Sequence, residues 1–286
     1  MREVSFRGDG FELPLLQSDV IPAGFRHGFT TRLGGVSEGV FASLNLGGRW
    51  GDDPARLAEN QRRFRAATGS EAVHFATQVH GRAVAAVSAG DVPAATAGRQ
   101  ADALVAAQAG TCVGVYVADC VPIVVADART GACAAVHAGW RGTVAGVLGE
   151  TLAHLVATCG ARVEDLRVAI GPSIGPCCFE VGPEVVAAVE ESDPGARAEG
   201  AIVAKAPRDH VDLWVLNQRQ ALSFGVPPAA VDVARLCTSC DPTRFFSYRR
   251  DHGKTGQMAA FISCFVSPVI SPAISPVISY PGAGGP

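Results

Sequence analysis

The sequence predicts an α+β fold in which strands and helices share one undivided unit. Short apolar runs bounded by turn residues recur through residues 10–50 and 111–138, the pattern of buried strands. Capped segments with apolar residues at helical spacing lie between and after them. No linker divides these elements before about residue 266, and a globular chain of this length buries roughly 75% of its unfolded surface.

Taken in order, "GFTTRLGGVSEGVFASLNLGG" alternates short apolar runs with Gly-rich turns, so strands and loops are expected up to residue 50. The first helix is predicted over 52–69, "DDPARLAENQRRFRAATG", with an Asp cap, a Pro in the first turn, apolar Leu57 and Phe64, and a Gly stop at Gly69. Its arginines read as a solvated face. "EAVHFATQVHG" and "GRAVAAVSAGD" then read as strands joined at Gly81, which places His80 at a strand end. Residues 111–118, 121–126 and 132–138 read as an antiparallel meander, with "DARTG" as its second turn. Through "GWRG" the chain enters a helix, "TVAGVLGETLAHLVATCG". Beyond it, "RVAIGP" reads as a strand, "CCFEVGPEVVAAVEES" as a turn into a helix, "DLWVLNQRQALSFGV" as another helix, and "FFSYRRDHGKTGQMAAFI" as a closing loop and strand. Residues 1–266 are thus expected to form one domain. The tail 267–286, "SPVISPAISPVISYPGAGGP", repeats Pro too often for a ladder or a helix and is expected to be disordered.

Composition narrows the function. The formal net charge is -3, and no block of like charge marks a nucleic-acid or membrane-surface footprint. No signal-peptide-like start and no run of 18 apolar residues occurs. A cytoplasmic protein with small-molecule partners is expected, as a monomer or small homo-oligomer. Nine cysteines, an odd number in a long chain, fit free thiols or metal ligands in a reducing compartment.

Cys120 lies seven residues before Asp127 and His137 six residues after Gly131, so a hairpin would set them nearly opposite each other, at a sheet edge facing a helix start. His80 in "QVHG" is the third member. Two imidazoles and a thiolate suit Zn²⁺, and three protein ligands with an open fourth position are the arrangement of a catalytic zinc. Two other readings stand beside it: a core cysteine with ordinary histidines, and a metal-free pair in which His137 lowers the thiol pKa of a Cys120 nucleophile. "CTSC", 237–240, has no second C-x-x-C partner, so neither a structural zinc site nor a redox pair is expected there and it reads as inert core or loop thiols, and the vicinal pair Cys177 and Cys178 is equally open. Arg141 in "GWRG", and Arg249 and Arg250 in "SYRRDHGKTG", are the candidates for holding phosphate, or are solvated.

The set "TRLGGVSEGVFASLNLG", "QVHG", "ADCVPIVVAD", "HAGWRG", "IGPSIGPCCFEVG", "LCTSCDPTRFFSYRRD" and "TGQMAAFI", in order from about residue 25 to 262, resembles the YfiH-like laccase-domain proteins. That family is also labelled polyphenol oxidase or peptidoglycan editing factor, and is understood as purine nucleoside phosphorylases. The resemblance implies a single α+β domain with mixed sheets sandwiched between helices, the YfiH-like cysteine hydrolase fold. It implies a catalytic zinc on His80, Cys120 and His137, with copper able to enter the same site. It implies phosphorolysis of adenosine, inosine, guanosine and S-methyl-5'-thioadenosine, with adenosine deamination beside it. A copper polyphenol oxidase or a peptidoglycan-precursor editing factor are the alternatives. A four-copper oxidase needs about ten histidines, largely in H-x-H pairs, to match copper's preference for imidazole. This chain has seven and no such pair. The Pro-rich tail departs from the family pattern.

Overall fold

The computed structural model describes residues 1–88 and 90–265; the expectation for the 267–286 tail lies outside them. In chain order the strands and helices are β1 (Arg2–Gly8), β2 (Phe11–Gln17), β3 (Phe25–Thr30), α1 (Pro54–Thr68), β4 (Val73–His74), β5 (Val84–Val87), α2 (Pro93–Ala97), β6 (Ala103–Ala106), β7 (Cys112–Val117), β8 (Val121–Asp127), β9 (Cys133–Ala138), α3 (Trp140–Val144) and α4 (Val147–Cys159). Then follow β10 (Leu166–Ile170), α5 (Pro183–Ser192), β11 (Ile202–Val203), β12 (His210–Val211), α6 (Leu213–Phe224), β13 (Val231–Val233) and β14 (Met258–Cys264).

One sheet runs β1-β2-β3-β14-β7-β4 and the other β13-β10-β8-β9-β6-β5. Side-chain alternation makes them stack. On β8, Val121, Ile123 and Val125 join the core under the helices, with Leu148, Leu152 and Leu213. Val124 and Ala126 face the other way, against Val113, Val115, Ala260 and Ile262 of the first sheet. The first sheet's outer face, with Leu13, Leu15 and Phe261, is covered by Phe64 and Ala67 of α1. The result is four layers, helix, sheet, sheet and helices, which is the α+β arrangement of sheets between helices that the resemblance implies. Helix α1 forms where its caps require: Asp53 accepts from the N–H groups of Ala55 and Arg56, and Gly69 closes it at φ 66. Among the described residues no helix is long and apolar enough to cross a membrane.

Two expectations need correction. The run 111–138 is not a meander: β8 and β9 form an antiparallel hairpin, but β7 belongs to the opposite sheet, between β14 and β4. The three-residue link 118–120 therefore crosses between layers. Nor do strands meet at Gly81: β4 ends at His74 and β5 begins at Val84, in opposite sheets, so His80 sits in a crossing loop and not at a strand end.

Candidate active and metal site

Each candidate residue is delivered by one of these crossings. His137 pairs with Pro122 across the hairpin. Its parity along β9 differs from that of Val136 and Ala138, which face the helical layer, so its ring points toward the first sheet. Cys120 ends the β7–β8 crossing and packs against the inter-sheet core. Both lie at the ends of interior strands, rather than at the sheet edge expected from the sequence.

Asp102 organises the two histidines. The register that pairs Ala103 with Val136 sets Asp102 opposite His137, and the Nδ1 of His137 bonds its carboxylate at 2.8 Å. The same carboxylate accepts from the backbone N–H groups of Val79, His80 and Gly81 at 3.3, 2.9 and 2.7 Å. Those bonds hold His80 at φ 60, a left-handed conformation uncommon for a residue with a side chain. Gln78 braces the same loop like an added strand residue, donating to the carbonyl of Tyr116 and accepting from its N–H, each at 2.8 Å.

The His80 and His137 rings meet edge to face, 4.8 Å apart, and the Nε2 of His80 lies 3.9 Å from the Cys120 Sγ. All three ligand atoms lie within 4.8 Å of one another. A Cβ on Gly139 would come within 3.0 Å of the His80 ring and 3.1 Å of the Cys120 sulfur. The glycine keeps that space open.

Electrostatics favour deprotonated sulfur. Burial alone would raise the Cys120 thiol, but the charge of His137 and hydrogen bonds from His137 and His80 outweigh it and bring the thiol down to about 6. Burial would lower His137, yet the Cys120 thiolate and the Asp102 carboxylate raise it to about 9. Each shift has the other group among its causes, and both favour a thiolate beside an imidazolium when no metal is bound. With one, the site offers two imidazoles and a thiolate, His137 being oriented by a carboxylate on its other nitrogen, an arrangement typical of histidine ligands. The residues fit a metal ion.

A cavity of about 710 Å³ opens above these groups, within the range of small-molecule sites. Arg49, Arg141 and Arg249 bring positive charge to its wall. Trp50 and Tyr248, also in the lining, lie 5.9 Å apart. Arg141 lies over the ring of Trp140. Arg249 donates from Nη1 to the carbonyls of Cys178 and Glu180 at 3.3 and 2.9 Å. Arg250 is placed otherwise. Its guanidinium bonds the Asp251 carboxylate and the carbonyls of Thr238 and Phe245, and it is not among the cavity-lining residues.

Sequence reasoning missed Asp102, Asp119 and Arg49. Asp119, buried at φ 86 beside Cys120, accepts from the hydroxyls of Thr238 and Ser247 and from the N–H of Arg249 at 2.6, 3.0 and 2.7 Å. Its signal was the acidic residue in "ADC", inside an otherwise apolar stretch.

A family model described as multi-copper polyphenol oxidoreductase laccase matches residues 26–264. The chain is 38% identical over 253 residues to purine nucleoside phosphorylase YlmD of Geobacillus stearothermophilus, covering 84% of this chain and 90% of that one. It is 37% identical over 244 residues to purine nucleoside phosphorylase YfiH of Shigella flexneri, covering 85% and 95%. The crystal structure of the Geobacillus YlmD superposes with a TM-score of 0.81 at 35% identity, over 91% of this chain and 98% of that one.

Proposed function

Because the chain belongs to the family described as multi-copper polyphenol oxidoreductase laccase, and relatives 38% and 37% identical to it over the aligned residues are named purine nucleoside phosphorylases, we propose that it is a zinc-dependent enzyme that splits purine nucleosides with phosphate. Its substrates are adenosine, inosine, guanosine and S-methyl-5'-thioadenosine, and it also deaminates adenosine. The observation that carries this reading is the convergence of His80, Cys120 and His137 on the floor of a cavity walled by arginines and aromatic rings.

A zinc ion held by these three residues would supply a Lewis acid to the bound substrate. The rest falls to the chain. Asp102 keeps the Nδ1 of His137 occupied, so that Nε2 is the nitrogen presented to the site. Trp50 and Tyr248 offer flat apolar faces to a purine base. Arg141 and Arg249 bind the phosphate: the two carbonyl bonds of Arg249 both use Nη1, and its other N–H groups serve the anion. In phosphorolysis a phosphate oxygen bonds the anomeric carbon as the bond from that carbon to the purine nitrogen breaks. Positive charge on the cavity wall brings the anion to that carbon.

The donor set would accept Cu²⁺ as well, but a multi-copper centre needs further imidazoles. The Nε2 of His27 accepts from the N–H of Ser18, His74 bonds Thr96 and His210 bonds the Pro176 carbonyl. Among the described residues no further histidine joins His80, Cys120 and His137, which favours purine chemistry. It is tested by incubating the protein with each nucleoside, with and without phosphate, and separating the products. Phosphate-dependent release of free base with sugar 1-phosphate is expected, together with inosine from adenosine. Cys120→Ser should lose the zinc of this site and turnover together, since a hydroxyl is a far poorer ligand than a thiolate. Full cleavage by chelator-treated protein shown to be metal-free would refute the zinc reading in favour of a Cys120 nucleophile.

A further inference from the structure

The fold joins two cysteine pairs that are far apart in the sequence. Cys177 and Cys178 lie on the turn that follows Gly175, and Cys237 and Cys240 on the loop after β13. The two segments run side by side: Ser173 and Cys237 form a parallel bridge, the N–H of Ser173 donates to the carbonyl of Leu236, and that of Thr238 to the carbonyl of Ser173. The four sulfur atoms fall within 4.8 Å of one another. Cys240 Sγ is 3.4 Å from the sulfurs of both Cys177 and Cys178, too far for a disulfide bond of about 2.05 Å. Four sulfurs at about 2.3 Å from a central ion lie about 3.8 Å apart along the edges of a tetrahedron. The sulfur separations, 3.4 Å for two of the pairs and none above 4.8 Å, bracket that edge.

We propose that Cys177, Cys178, Cys237 and Cys240 form a second metal site, a closed tetrathiolate centre for a structural Zn²⁺. Its surroundings suit thiolates. The N–H of Gly175 donates to Cys237 Sγ at 3.3 Å. Lys205 donates to the carbonyl of Pro176 and Arg249 to that of Cys178, so two cations sit on the same turn and offset the net negative charge of four thiolates around a divalent ion. Four protein ligands leave no open position, which distinguishes this centre from the one at Cys120. Its position gives it a task. It staples the 173–180 turn to the 236–241 loop, and these segments carry the carbonyls that hold Arg249 and the Thr238 hydroxyl that holds Asp119.

The test separates this centre from the Cys120 site. Cys120→Ala protein, purified without added metal, should retain about one zinc per chain, with an X-ray absorption edge fitted by four sulfurs at about 2.3 Å. Cys240→Ser in the same background should lose that zinc. Because Cys240 is exposed, its replacement leaves the core intact; should the double variant still fail to fold, release of zinc from Cys120→Ala protein by a mercurial reagent, with four thiols modified per zinc freed, gives the same answer. Zinc-free Cys120→Ala protein with four reactive thiols, a disulfide among these cysteines found by mass, or iron in place of zinc would each overturn the proposal. Failure of the purine assay would leave it standing, since it does not depend on the substrate.

Discussion

Asp102 accepts hydrogen bonds from three successive backbone N–H groups and bonds the imidazole of His137, fixing two of the three candidate ligands at once. The Asp102→Asn change turns an N–H donor against one of those groups. It should weaken zinc binding about 10- to 100-fold and lower activity with it, as read by competition with a chromogenic chelator; unchanged affinity would mean that the ligands are oriented by other contacts. At this scale the sequence was only half legible. Cys120 and His137 stood out because reactive side chains ended apolar runs, while Asp102 reads locally as a turn residue and acquires its role only when β6 pairs with β9. A second residue-level expectation concerns His27. Burial drives its pKa down to about 4, against bonds that raise it, from about 6.5 in the unfolded chain. The folded state then binds fewer protons than the unfolded one between those values, so the contribution is complete above about pH 6.5 and is lost as the pH falls toward 4. It amounts to about 3 kcal/mol. Denaturant titrations across this range should show a shallower pH dependence in His27→Gln than in the parent protein.

Among the elements, α1 was legible from end to end because a helix terminus is specified locally. Asp53 satisfies two N–H groups of the first turn and Gly69 takes the left-handed closing position. Asp53→Ala should cost about 1 kcal/mol, measurable as a lower denaturation midpoint at constant slope. Strand pairing was less legible, for a physical reason. β7 and β8 are buried on both faces, so neither shows the apolar–polar alternation that would reveal its sheet, and the short link between them resembles a hairpin turn. The link is held instead by Asp119, whose carboxylate ties it to the Thr238, Ser247 and Arg249 segments. In Asp119→Asn one of those donors meets an amide N–H. A loss of about 2 kcal/mol is expected from the unsatisfied buried group, together with lower turnover as Cys120 and Arg249 lose their common anchor. Intact turnover with reduced stability would limit Asp119 to a structural role.

For the molecule as a whole, the decisive feature is that the site exists only when the two sheets are stacked. His80 arrives on a loop between β4 of one sheet and β5 of the other, Cys120 on the link from β7 to β8, and His137 from inside the second sheet. This explains why spacing alone left the site open: the separations among residues 80, 120 and 137 carry no local metal-binding signature, and the three side chains come together only through the layer order. It also couples metal to folding. An unfolded chain holds these ligands far apart, so a zinc ion held by His80, Cys120 and His137 would bind the stacked state in preference and stabilise it by mass action. At free zinc about 100-fold above the dissociation constant the gain is about 2.7 kcal/mol, or roughly 5 to 10 °C in Tm for a chain of this size. Scanning calorimetry of chelator-stripped and zinc-reloaded protein should show that rise. Cys120→Ser should remove the part due to this site and keep the part due to Cys177, Cys178, Cys237 and Cys240. Equal zinc-induced shifts in parent and Cys120→Ser protein would place all of the stabilising metal at the four cysteines and leave Cys120 free to act as a thiolate.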